Sequence, residues 1–296
     1  MNYSPKQITI VCGPTSTGKS DFVFDLAKSS LPALIVSSDS RQFYKDIPIV
    51  SGQDNTSNLP EGITLVGQGF LKSDEEFSIS QFQKYFYQKI KEFQSHHIFA
   101  VGGSGLYLKA ISQNLETITI PQNRPLRDKL NNLSLASLQE ELKKINLEKF
   151  NLLNNSDIHN PRRLIRAIEI ATYNNRHSSK HQPRHCEERS DAAIQFHWIG
   201  LKKSKEKLVK DISERVKKRI ELGAVEEVKG LLNKYPNQKL PIYSTIGVNH
   251  VTQFIKGSIT EEELVNLWTQ SELSYAKRQM VWFKKQPQIV WYDKGI

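Results

Sequence analysis

Three groups of residues have types and spacings suited to chemistry. The first is Gly13-Pro14-Thr15-Ser16-Thr17-Gly18-Lys19-Ser20, which fits G-x-x-x-x-G-K-[ST]. Gly13 and Gly18 allow the backbone to wrap an anion without a Cβ in the way. The loop N–H groups and the following helix N-terminus then point at phosphates. Lys19 adds a mobile positive charge, and the Ser20 hydroxyl can ligate Mg²⁺. This is a cradle for a polyphosphate or a pyrophosphate, and the pattern leaves open which one is held and whether a phosphoryl group moves. The bland alternative is a glycine-rich turn opening an ordinary helix. The second group is Asp39 within Ser37-Ser-Asp-Ser-Arg-Gln42. Just past a strand it faces the ligand crevice of a doubly wound sheet, or it caps the next segment. The third is Arg162, Arg163 and Arg166, clustered after Pro161. Cations at a helix N-terminus oppose its dipole, so either a bound anion or carboxylates elsewhere must offset them.

The elements that must position these groups follow from hydrophobic periodicity. Short β-branched runs at 8–12, 33–36, 63–66, 98–101 and 196–201 read as buried parallel strands. Residues 46–76 otherwise read as loop. Helical spacing marks 21–28 and 78–93, the latter with Ile79, Phe82, Phe86 and Ile90 on one face. Gly102-Gly-Ser-Gly105 is a second glycine turn entering a helix, so two such turns open on one sheet edge. The expected fold is α/β: a P-loop NTPase-like parallel sheet flanked by helices, with an inserted helical domain. Residues 1–113 form the first part of the core, 114–188 the helical insertion and 189–296 the second, mostly helical part. Within the insertion, helices are expected from Arg124, with Pro125 in the first turn, over 135–144 and from Pro161. One long amphipathic helix is expected over 207–234, with Ile212, Val216, Ile220 and Leu222 inward and Arg215, Lys217, Lys218 and Arg219 outward, and another over 261–285. Residues 174–195 lack any period and read as an exposed loop; His177, His181, His185 and Cys186 there lack zinc-site spacing.

Bulk properties narrow the class. The chain has 296 residues and a net charge of +10, which beside a phosphate site favours a polyanionic partner such as nucleic acid or reflects a solvated lysine-rich surface. No apolar run reaches the roughly 18 residues of a membrane span, and no signal peptide is evident. Two distant cysteines make no disulfide framework, which suits the cytoplasm.

Taken together, these stretches resemble the tRNA dimethylallyltransferases, also called tRNA isopentenyltransferases. The matching segments occur in family order: Gly13 to Ser20, Ser38-Asp39-Ser40, Gly102 to Tyr107, Asn160-Pro-Arg-Arg163 with Arg166 to Glu169, Arg215-Val216 with Gly223, Glu227-Val228, Ile246-Gly247, and Tyr275 to Gln279 with Trp282-Phe283. The resemblance implies transfer of a dimethylallyl group from dimethylallyl diphosphate to N6 of the adenosine just 3′ of the anticodon. It implies that Asp39 takes the proton and that Ser104 and Arg215 act at the reaction centre. Gly13 to Ser20 would hold the diphosphate with Mg²⁺ at Ser20. Asp39, Ser40, Arg41, Gln42, Ser104, Arg127, Arg162, Arg163, Leu164, Ile165 and Arg166 would contact tRNA. The implied protein is monomeric, off the membrane and cytoplasmic. The chain departs from the family pattern at Asp211, Glu272-Leu273 and Val248. A small-molecule P-loop kinase and a weakened tRNA-binding homologue are the competing readings. Residues 184–195 resemble peptides encoded by mobile palindromic repeats.

Overall fold

Among the described residues, six short strands form one all-parallel sheet in the order β3-β2-β4-β1-β5-β6. They are β1 (Gln7–Cys12), β2 (Ala33–Ser37), β3 (Ile63–Val66), β4 (His97–Gly102), β5 (Gln195–Lys202) and β6 (Ile289–Asp293). The computed structural model describes residues 6–57, 59–93, 97–177 and 194–294. Alternation sends Ile8, Ile10 and Cys12 of β1 into the larger apolar core and Val11 into a second core on the opposite face; Leu34 and Val36 are split in the same way from Ala33 and Ile35. Both faces are covered, which is why the central strands read as continuous apolar runs.

The five strands expected from sequence all form. The edge strand β6 was not expected: Val290 and Tyr292 are exposed, so the segment lacks the buried run of a central strand. Within the 46–76 loop, Pro48–Ser51 forms one helical turn, α2. The other helices of the sheet unit are α1 (Lys19–Lys28), α3 (Ile79–Glu92), α4 (Gly105–Ser112), α10 (Lys205–Glu221), α11 (Ala224–Lys234), α12 (Val248–Ile255) and α13 (Glu261–Phe283). The single helix expected over 207–234 is therefore two. Gly223, at φ 101° in left-handed space, ends α10 and caps α11. Leu222 is 61% exposed rather than inward, and Arg219 is buried rather than outward.

The chain divides into two compact units, Met1–Gln113 with Ala192–Ile296, and Asn114–Asp191. In the second unit α5 (Arg124–Leu130), α6 (Leu135–Ile145), α7 (Leu147–Asn151), α8 (Asn155–Ile158) and α9 (Pro161–His177) surround a core of Leu130, Leu138, Leu142, Leu164, Ile165 and Ile168. Residues 174–177, expected in a loop, are the last turn of α9. His181, His185 and Cys186 lie outside the described residues. Among the described residues no helix is long and apolar enough to cross a membrane.

Candidate active site

Strand register brings the chemical loops together. Cys12 lies opposite Gly102 and Gly200, and Ser37 lies opposite Val101. The chain therefore leaves β1, β2 and β4 at one edge, as Gly13, Ser38 and Gly103, where an open parallel sheet binds its ligands. Gly13 has φ 140°, and a Cβ there would sit 2.3 Å from the Leu201 carbonyl oxygen, so only glycine lets the loop turn this close to β5. Lys19 then opens α1.

At this edge is a cavity of about 910 Å³. Thr15, Ser16, Gly18, Lys19 and Ser20 line it, together with Asp39 to Gln42, Arg215, Arg219, Glu272, Tyr275 and Arg278. Gly13, Pro14 and Thr17, expected to hold an anion, instead shape the loop behind it. Thr17 is buried and its hydroxyl donates to the Pro14 carbonyl at 2.9 Å. The Lys19 ammonium donates to the same carbonyl at 2.7 Å. Lys203 braces the loop from β5's end, donating to the Ser16 carbonyl at 3.0 Å and to Asp211 at 2.5 Å. Asp211, a departure from the family pattern, thus holds the lysine that holds the loop.

The cavity wall is rich in cations with unused hydrogen-bonding capacity. Burial pushes the Lys19 ammonium down to about 8, with Arg215 adding to the shift and Asp39 opposing it. Arg215 donates to the Thr15 hydroxyl and, at 2.9 Å, to Glu272. Arg219 donates to the other Glu272 oxygen at 3.0 Å. Burial, then the neighbouring Arg215, lowers Arg219 to about 10, against the pull of Glu272. The buried Arg215 Nε and the Ser16 and Thr245 hydroxyls have no partner among the described residues. Buried polar atoms left unmatched are costly, and these three belong to residues that line the cavity. Cys12, just before the loop, is no nucleophile here: burial pushes its thiol up to about 12.

Asp39 shares the cavity with Lys19. Its carboxylate accepts the Arg41 N–H at 3.0 Å, so it closes its own turn and also presents charge to the cavity. Arg41 is pinned by the Pro241 carbonyl and the Ser244 hydroxyl, both at 3.0 Å. The Gln42 amide accepts from Ser37 at 2.7 Å and donates to the Gly52 carbonyl at 2.6 Å. Ser104 is not itself a wall of the cavity. Its side chain hydrogen-bonds Tyr275, which is, and whose hydroxyl is pushed up to about 12 by burial and by Asp39. Sequence reasoning passed over Arg219, Glu272, Tyr275 and Gln279 as site residues. The motif Tyr275-Ala-Lys-Arg-Gln279 is the signal for two of them; for Arg219 it is the helical spacing, which sets it on the same face of α10 as buried Ile212 and Val216.

The residues expected to meet RNA in the helical unit divide sharply. Leu164 and Ile165 are buried in that unit's core, so their side chains are removed from the set of surface contacts. Arg127 donates from Nε and Nη2 to the two oxygens of buried Glu169, at 2.8 and 2.7 Å. Arg166 reaches Glu169 at 3.3 Å and the carbonyls of Thr117 and Ile120 at 2.7 and 2.9 Å. Burial raises Glu169, but the bonds from Arg127, the Asn123 N–H and Arg166 outweigh it and hold the carboxyl below its usual range. Arg163 pairs with Asp157. Of the cluster, Arg162 is exposed and has no ion pair among the described residues.

Comparison with known proteins matches these features to one group. Residues 42–286 match the family model described as IPP transferase. The chain is 32% identical over 289 residues to tRNA dimethylallyltransferase 1 of Azobacteroides pseudotrichonymphae, covering 96% of this chain and 90% of that protein. It is 31% identical to the tRNA dimethylallyltransferase of Trichodesmium erythraeum, with 96% and 90% covered. Among solved structures, a tRNA isopentenylpyrophosphate transferase of Staphylococcus epidermidis superposes with TM-score 0.66 at 26% identity, covering 98% of this chain and 94% of that one. A eukaryotic dimethylallyltransferase acting on tRNA shares the fold with TM-score 0.78 at 22% identity, covering 98% of this chain and 74% of that one. The chain belongs to the IPP transferase family.

Proposed function

We propose that this enzyme transfers a dimethylallyl group from dimethylallyl diphosphate to N6 of the adenosine 3′-adjacent to the anticodon, in tRNAs reading U-initial codons. The product is N6-(dimethylallyl)adenosine. The C–O bond of the diphosphate ester breaks, a C–N bond forms, and the proton of the adenine amine goes to Asp39. The observation that carries this reading is that Lys19 and Asp39 open onto one cavity. Lys19, the loop N–H groups and Arg215 stabilise charge growing on the departing diphosphate. Asp39, one strand away, receives the proton of a weak nucleophile held in place. At about 910 Å³ the cavity has room for a diphosphate ester and a base drawn out of its stack. Ile49, Val50 and Ile246 give it an apolar wall for the five-carbon chain.

The donor set also fits magnesium. Among the described residues no group of three or more His, Cys, Asp or Glu side chains forms a metal cage. Magnesium bound with substrate phosphates needs only one or two hard protein oxygens, and Ser20 lies in the cavity wall. Ser20 would hold the ion, and bound magnesium supplies charge neutralisation to the diphosphate. We further infer that the helical unit contacts the anticodon arm through its exposed cations, and that the enzyme works as a cytoplasmic monomer. The test is incubation with unmodified tRNA and labelled dimethylallyl diphosphate, then with ATP. Label in tRNA is the expected result. ATP turnover without label transfer would make the protein a kinase, and tight tRNA binding without either would make it a weakened homologue.

A further inference from the structure

Two loops meet at the cavity edge, and one side chain holds both. Gln279 lies on α13 and is 6% exposed. Its Oε1 accepts the Thr15 N–H at 2.8 Å, and its Nε2 donates to the Gly103 carbonyl at 3.0 Å. Thr15 belongs to the anion-binding loop after β1, and Gly103 to the glycine turn after β4. The fit is tight, because a Cβ on Gly103 would lie 2.1 Å from the Gln279 amide nitrogen. One helical turn earlier, Tyr275 reaches Ser104, the next residue of the same turn. Meanwhile Arg215 binds the Thr15 side chain whose backbone Gln279 holds.

We propose that Gln279 is a positioning residue that sets the register between the diphosphate cradle and the Gly103-Ser104 turn. This rests on the transfer reaction proposed above. A neutral amide suits the task because it offers one acceptor and one donor at once. A carboxylate of the same size accepts from Thr15 but turns a second acceptor toward the Gly103 carbonyl. A protonated carboxyl restores the donor, and burial favours that neutral form. Misplacing reacting groups by an ångström costs on the order of a hundredfold in rate.

The test compares Gln279→Glu and Gln279→Met with wild type, as ratios of variant to wild-type rate from pH 8 to pH 5.5. Taking ratios cancels the pH dependence that the variants share with wild type. Gln279→Glu is expected to transfer about 100-fold more slowly at pH 8 and to recover to within about tenfold at pH 5.5. Gln279→Met, which fills the volume without either bond, is expected to stay about 100-fold down at every pH. Pyrophosphate affinity, read by calorimetry on the same proteins, is expected to show the same recovery for Gln279→Glu alone. A flat Gln279→Glu ratio in both readouts, or a Gln279→Met protein as active as wild type, would overturn the proposal. A wild type that transfers nothing to tRNA, with the pyrophosphate ratio still recovering, would remove the transfer reading and leave the loop coupling in place.

Discussion

In the sheet unit, Arg215 and Arg219 share the carboxylate of Glu272; in the helical unit, Arg127 and Arg166 share that of Glu169. Both glutamates are buried. Their surroundings differ. Glu169 also takes the Asn123 N–H at 2.9 Å, and Nη2 of Arg166 donates to two carbonyls. Around Glu272 the balance is incomplete: Arg215 Nε has no partner among the described residues, and Lys19 adds a further cation to the same cavity. A saturated arginine–carboxylate cluster ties helices together. An unsaturated one, open to a cavity, keeps donors that an anion can use.

That contrast can be broken most severely at Lys19. Lys19→Ala is expected to slow transfer by about 10³-fold, measured under single turnover, with folding intact. The same lysine predicts a pH effect in the unsubstituted enzyme. The free ammonium loses its proton around 8, and an anion binds the protonated form. Pyrophosphate affinity should therefore be full below pH 8 and fall about tenfold per unit above it, read by calorimetry. Affinity that is level from pH 7 to 9.5 would place Lys19 outside the anion site.

The saturated cluster should respond in stability. Glu169→Gln leaves two arginines facing a neutral partner and should lower the opening free energy of α5 and α9 by about 2 kcal/mol. That is less than a fully buried pair loses, because the arginines are partly exposed. Hydrogen exchange in the full chain reads it. Because the folded carboxyl titrates below its unfolded value, this contribution is present above about pH 4.5 and is lost as the pH falls through the folded value. Transfer chemistry at saturating tRNA should be unchanged. The smallest effect belongs to Arg162. Its alanine variant should weaken tRNA binding by about threefold to tenfold and reduce the salt slope by about 1, with no loss of stability.

Local patterns carried a large share of this site in readable form. A strand, a glycine loop and a lysine are contiguous, and Asp39 follows the next strand, so the parallel-sheet rule alone puts both at one edge. What stayed hidden depends on tertiary contact. Glu272 looks like one more acid on a charged helix until α10 and α13 bring Arg215 and Arg219 to it. Gln279 looks like a solvent-facing amide until two loops close on it. The arginines after Pro161 posed a choice between an anion and carboxylates, and periodicity has no means to choose between partners. The structure chose carboxylates for Arg163 and Arg166 and turned Leu164 and Ile165 inward. The helix expected over 207–234 failed for a local reason: one glycine at positive φ split it, while Arg219 shares the buried face of α10 with Ile212 and Val216.

The central claim is that the cation cradle and Asp39 act on the two halves of one reaction in one cavity. Single-turnover transfer of a labelled dimethylallyl group to saturating tRNA by Asp39→Asn tests it most directly. The account predicts tRNA and pyrophosphate affinities within a few-fold of wild type and a transfer rate lower by about 10³-fold, within the usual contribution of a proton acceptor. An Asp39→Asn protein that transfers at a near-normal rate would contradict it.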